Sequence, residues 1–193
     1  MINWIIKYIR GKIAKGIGII SKAKRYLNSS CLRSLYFSFI YPYLTYCIEV
    51  WGSATRSRLN CLIVIQKKAI RIISNSGFRD HTDPLFKQLN LLTLNNIYIY
   101  QIGIFMFKNY QNVLPAAFDN MFQYNDEIHS YATRQKNQLR IPAVRSNCLY
   151  QTVRAKGVTI WNSIFLKLTV QCSIHSFKAS LFKLLINEGL LTS

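Results

Sequence analysis

Carboxylates are scarce in this sequence. Against 25 Lys and Arg stand only seven Asp and Glu in 193 residues, giving a formal charge of +18. Phosphoryl transfer by a metal pair needs at least two carboxylates converging on the ions. The acids present, Glu49, Asp80, Asp83, Asp119, Asp126, Glu127 and Glu188, include no paired-aspartate turn. Asp80, His81 and Asp83 form a cluster of acids with a histidine, and their place ahead of Pro84 reads as a turn followed by a helix cap. No G-x-G-x-x-G or phosphate-loop pattern occurs either. The expectation is a chain with no catalytic site, cofactor or metal of its own.

The cysteines Cys31, Cys47, Cys61, Cys148 and Cys172 are odd in number and widely spaced. None pairs at C-x-x-C spacing, and His81, His129 and His175 stand far apart, which argues against a zinc site or a disulfide framework. Their apolar neighbours predict reduced core thiols of an intracellular protein, with nucleus and cytoplasm left open. Long apolar runs are missing too. The most apolar window, Leu35 to Trp51, is interrupted by Pro42 and Glu49 and falls short of the roughly 20 residues a spanning helix needs. No transmembrane segment is expected, and the first residues lack the pattern of a signal peptide.

Half of the residues are hydrophobic, enough for a packed core. The charge on that core is unevenly spread. Met1 to Ile48 carries Lys7, Arg10, Lys12, Lys15, Lys22, Lys24, Arg25 and Arg33 without a single acid, and Ile128 to Asn187 is equally free of acids. Between them the signs nearly balance. Soluble helices normally mix signs to avoid self-repulsion, so two acid-free wings point to a polyanionic partner.

Apolar spacing predicts an all-α protein, an irregular multi-helix bundle with a polar arm. Ile6, Ile9, Ile13, Gly16, Ile20, Ala23 and Leu27 recur at steps of three and four, which places them on one helical stripe. Lys7, Lys15, Lys22 and Arg25 then fall on the opposite face. Gly11, Gly16 and Gly18 weaken this helix, so it requires docking against a partner. A second helical stretch covers Cys31 to Trp51 and divides at Pro42. A third runs from Leu59 to Ser76, with Leu59, Leu62, Ile63, Ala69, Ile70 and Ile73 on one side, Lys67, Lys68 and Arg71 off it, and Gly77 as the residue past its end. Asp83 and Pro84 start a short helix reaching Leu92. A long one spans Thr93 to Asn112.

From Gln123 to Ser146 the periodicity gives way to an extended arm or linker. Tyr131, Arg134, Lys136 and Arg140 interleave an aromatic ring with bases there, an arrangement able to touch phosphates and stack a nucleobase. Helix resumes over Leu149 to Leu168, broken at Gly157, and again over Ser173 to Leu185. The chain thus divides into a basic amphipathic helix (1–28), a helical core (29–122), the basic arm (123–146) and a C-terminal helical segment (147–193).

Taken in order, these segments resemble the region that follows the palm in reverse transcriptases of jockey-like non-LTR retrotransposons. Asn3 and Trp4 are similar to the close of the last palm strand, and Lys12 to Leu27 (KIAKGIGIISKAKRYL) resembles the thumb helix. The series continues with Leu32 to Gly52, Leu59 to Ile73, His81 to Leu94 (HTDPLFKQLNLLTL), Leu114 to Phe118 (LPAAF), Tyr131 to Arg134 (YATR), Gly157 to Asn162 (GVTIWN) and Phe177 to Leu185. It departs where family members carry Leu-Pro after the Trp-Asn pair, because Phe165 and Leu166 stand there.

The resemblance implies the thumb and post-thumb part of an RNA-directed DNA polymerase, without palm, fingers or endonuclease. Residues matching the catalytic aspartates are absent from this sequence. Its implied partner is the backbone of RNA, DNA or an RNA/DNA hybrid, along with the missing palm of a full-length element. Lys7, Lys15, Lys22 and Arg25 would be the first contacts and Lys67, Lys68, Arg71, Arg134, Lys136 and Arg140 the second. Two other readings fit the composition: a basic amphipathic membrane-surface protein, or a nonfunctional remnant with exposed apolar surface.

Overall fold

The computed structural model describes residues 2–127, 136, 138–165, 168 and 173–188. Among these the fold is all-α, with one isolated antiparallel bridge between Tyr124 and Leu139 and no strand. The helices are α1 (Ile2–Ala23), α2 (Ser29–Phe39), α3 (Tyr41–Thr45), α4 (Ile48–Trp51), α5 (Arg56–Ile73), α6 (Asp83–Gln88), α7 (Leu94–Tyr110), α8 (Asn147–Tyr150), α9 (Val158–Phe165) and α10 (Ile174–Glu188). They form two compact units, one of residues 1–98 with 184–193 and one of residues 99–183.

In the first unit α1 packs against α2, α3, α4 and α5. Its buried residues are Ile6, Ile9, Ile13, Gly16, Ile17 and Ile20. Ile17 is buried in addition to the expected stripe. The backbones come close at Gly16, where an added Cβ would stand 2.9 Å from the Phe39 carbonyl oxygen and 3.1 Å from Phe39 Cβ. Gly11 and Gly18 are different: both are exposed, and a methyl at either meets nothing within 4 Å. Gly11→Ala and Gly18→Ala should therefore each stabilise the protein by about 0.5–1 kcal/mol, seen as a higher urea midpoint.

Several boundaries differ from expectation. Asn3 and Trp4, expected to close a strand, are in the first turns of α1. The helix stops at Ala23, so Arg25 lies in the following turn and Leu27 is 41% exposed rather than on the buried stripe. Asn28 then opens α2, its side-chain oxygen accepting from the Cys31 backbone N–H at 2.9 Å. The second stretch divides twice, at Ile40 just before Pro42 and again at Cys47, which takes a left-handed φ of 50°.

Three helix ends depend on asparagine, one of them where glycine was expected. Asn75, not Gly77, holds the left-handed position after α5, and Asn90 and Asn112 do so after α6 and α7, each with φ of 54°. The next residue closes each end: Ser76 N–H donates to Arg71, Leu91 to Phe86 and Val113 to Lys108, over 2.9–3.0 Å. This is the Schellman arrangement, with Asn tolerating the left-handed turn that its short polar side chain favours. At the other end of α6 the cap residue is Thr82, while Asp83 is already helical, and the helix ends at Gln88 instead of reaching Leu92.

The thiols are also not where composition placed them. Cys31 and Cys47 are exposed and Cys61 is half-buried, because each falls on the outer side of its helix or at a turn. Neither Cys172 nor the Cys148 side chain is among the described groups.

The core of the first unit contains a polar centre. Gln66, on the buried side of α5, is 1% exposed. Its amide nitrogen donates to the Tyr36 hydroxyl (2.9 Å) and the Leu92 carbonyl (3.0 Å), and its oxygen accepts from the Leu94 N–H (2.9 Å). One side chain so ties α5 to α2 and to the turn that launches α7. Burial drives the Tyr36 phenol far above its ordinary range, against the opposing pull of the Gln66 bond. Arg33 serves the same turn from outside, donating through Nε to the Leu89 carbonyl at 2.7 Å while lying over the Phe37 ring.

In the second unit an aromatic cluster gathers Phe107, Tyr110, Trp161 and Phe177, the two phenylalanines stacked with centroids 4.2 Å apart. Gly157, expected as a break, lies inside continuous helix: a π-helical turn (Val153–Gly157) runs into α9, and the interruption falls at Gln151 and Thr152. A Cβ at Gly157 would stand 3.3 Å from Val153 Cγ1 and at ordinary contact distance, 3.6 Å, from the Met106 sulfur of α7. The expected arm is partly docked. Asn162 grips the buried Leu139 backbone from both sides, accepting its N–H at 3.2 Å and donating to its carbonyl at 2.9 Å.

Candidate nucleic-acid interface

The outer face of α1 follows from its inner one. With Ile6, Ile9, Ile13, Ile17 and Ile20 buried, a 3.6-residue period leaves Trp4, Lys7, Tyr8, Gly11, Lys15, Gly18 and Lys22 on the solvent side, all of them exposed, as is Ile19. Lys7 and Lys22 are separated by about 22 Å along the axis, with Lys15 midway, given the helical rise per residue. Short residues between them, Gly11, Ala14 and Gly18, keep the surface low beside the ammonium groups. No acid occurs anywhere in Met1 to Ile48 to neutralise them.

The other expected residues are distributed differently. Arg25 is exposed in the turn after α1. On α5, Lys68 is exposed and Lys67 half-buried, both on the side away from Leu62 and Ala69. Arg71 is partly committed: its Nε donates to the Asp80 carbonyl at 3.0 Å. The Asp80 carboxylate in turn accepts from the Gly77 N–H at 2.6 Å, so the acid nearest His81 closes a turn. Lys136 and Arg140 belong to the second unit, where both are exposed and the Arg140 N–H bonds the Gln123 carbonyl at 2.8 Å. Tyr131 and Arg134 lie outside the described residues.

The geometry adds residues that the charge count passed over. Trp4 and Tyr8, one helical turn apart, stack with centroids 5.7 Å apart and planes 14° from parallel. The Lys12 ammonium lies 5.3 Å from the centre of the Tyr8 ring. The signal was present as the i, i+4, i+8 spacing of Trp4, Tyr8 and Lys12 within the acid-free wing.

Among the described residues no helix is long and apolar enough to cross a membrane. No three of the described His, Cys, Asp and Glu residues converge as ligands of one ion. Comparison of the chain with protein-family models, with curated proteins and with solved structures finds no match.

Proposed function

We propose that this chain is a nucleic-acid-binding module that grips the sugar-phosphate backbone without reading sequence, corresponding to the thumb and post-thumb region of a non-LTR retrotransposon reverse transcriptase and performing no polymerisation itself. The observation that carries the reading is α1: an acid-free helix whose Ile6, Ile9, Ile13, Ile17 and Ile20 are taken up by the core and whose outer face presents Lys7, Lys15 and Lys22. Ammonium groups spaced along a rigid helix neutralise successive phosphates, a contact that supplies affinity but no base discrimination. Lys67 and Lys68 on α5, Arg25 after α1, and Lys136 and Arg140 in the second unit extend the supply of positive charge.

The burial pattern of α1 weighs against the membrane-surface reading. An interfacial helix inserts its apolar side into the bilayer, and here that side is packed against other helices. Lys15→Glu combined with Lys22→Glu is expected to weaken binding of a labelled RNA/DNA hybrid by about 10- to 100-fold at low salt. Because both positions are exposed, the helical circular dichroism should not change. Unaltered affinity in the folded double variant would remove α1 as the interface.

A further inference from the structure

The Trp4–Tyr8 pair is the most conspicuous surface feature that backbone gripping leaves unused. Trp4 is 70% exposed and Tyr8 50%, whereas the two other tryptophans, Trp51 and Trp161, are buried at 0% and 4%. Phosphate contacts need no aromatic ring, and the core does not use these two. The rings are held nearly parallel by their spacing of one helical turn, and Lys12 fixes the far side of the pair by approaching the Tyr8 ring. Lys7 lies between the two aromatic positions in sequence and Lys15 one turn beyond Lys12.

We infer that Trp4 and Tyr8 form a stacking platform for an unpaired base of single-stranded RNA or DNA, whose flanking phosphates are held by Lys7, Lys12 and Lys15. The inference rests on the nucleic-acid reading above and makes it more specific: it names single-stranded character as the preferred feature at this end of α1. The committed occupant follows from charge complementarity. An aromatic pair set among lysines, on a wing with no carboxylate, matches a polyanion that also carries planar rings. Base-on-aromatic stacking is tolerant of sequence, as the rest of the face requires, and a base inside a duplex cannot reach such a platform without unstacking. Lys12 near the Tyr8 ring further favours a partner whose phosphate can share that ammonium.

The placement of the tryptophans makes the test direct, because only Trp4 is open to a ligand. The full chain is titrated with oligo(dT), with an abasic deoxyribose-phosphate oligomer of equal length, with a blunt duplex, and with phosphatidylserine vesicles. Anisotropy of labelled oligomers reports binding, and intrinsic fluorescence reports Trp4. The expected result is quenching of the exposed tryptophan by oligo(dT), little quenching by the duplex, and none by the abasic oligomer although it binds. Trp4→Ala should abolish the quenching and lower affinity for oligo(dT) about tenfold, leaving affinity for the abasic oligomer unchanged. Binding of oligo(dT) with unchanged emission would overturn the platform while leaving the backbone-binding reading intact. Failure of every oligomer to bind would overturn both. A blue shift with vesicles and no quenching by oligo(dT) would assign the pair to a bilayer surface and equally overturn the inference.

Discussion

Gly16→Val is expected to destabilise the protein by about 3 kcal/mol, a large part of the stability of an ordinary domain. The reason is geometric. Even a Cβ at this position would stand 2.9 Å from a carbonyl oxygen and 3.1 Å from a Cβ, both belonging to Phe39 near the end of α2. Neither atom is the far end of a flexible side chain, so relief requires α1 and α2 to move apart. That movement would open the packing around Ile13, Ile17 and Ile40, all of them buried. Two positions on the same helix supply the control, since Gly11→Val and Gly18→Val place their side chains in open space. Urea unfolding followed by circular dichroism should show a much lower midpoint for Gly16→Val than for either control. Equal midpoints for the three variants would mean that α1 does not dock at Gly16 as described.

Gln66→Ala is expected to cost as much or more, about 3–5 kcal/mol. Truncation leaves the Tyr36 hydroxyl, the Leu92 carbonyl and the Leu94 N–H without their buried partner, at about 1–3 kcal/mol for an orphaned group, and adds a cavity. Tyr36→Phe removes only one acceptor and keeps the other two bonds, so its cost should be about 1 kcal/mol. The network also sets where the damage is felt. Hydrogen exchange at the Leu94 amide should accelerate strongly in Gln66→Ala and little in Tyr36→Phe. If Gln66→Ala were no more destabilising than Tyr36→Phe, the side chain would not be the tie between α5 and the start of α7.

These two positions show what could be read in the sequence and what could not. The buried stripe of α1 was legible because Ile6, Ile9, Ile13 and Ile20 repeat with the helical period, and the lysines opposite them were legible for the same reason. That Gly16 belongs to a close crossing while Gly11 and Gly18 face solvent follows from the same phase, but the identity of the neighbour at Gly16 is set by tertiary packing. Gln66 was invisible: a glutamine on an apolar face reads as a flaw in the pattern until its three partners, 26 to 30 residues away, are placed around it.

Local capping followed a similar rule. Gly77 carried the stronger intrinsic preference for a left-handed turn, yet Asn75 occupies it, because the helix ends where the Ser76 N–H can reach the Arg71 carbonyl. Of the candidate interface, Lys7, Lys15 and Lys22 were legible from charge and period together. Trp4 and Tyr8 were legible only as a spacing of four residues; that their rings stack, with Lys12 beside them, is set by side-chain geometry. The Asn162 clamp on Leu139 lay beyond reach for the reason that hid Gln66, a side chain recognising backbone 23 residues distant.

Gripping a nucleic-acid backbone requires that the positive face neutralise phosphates. The salt dependence of binding reads this directly, since each neutralised phosphate releases counterions and steepens the fall of affinity with salt. For the unaltered full chain and an RNA/DNA hybrid, a plot of log affinity against log salt concentration is predicted to have a negative slope of magnitude about 4 or more, the value for five or so neutralised phosphates. A slope near zero, with binding absent or indifferent to salt, would contradict the account.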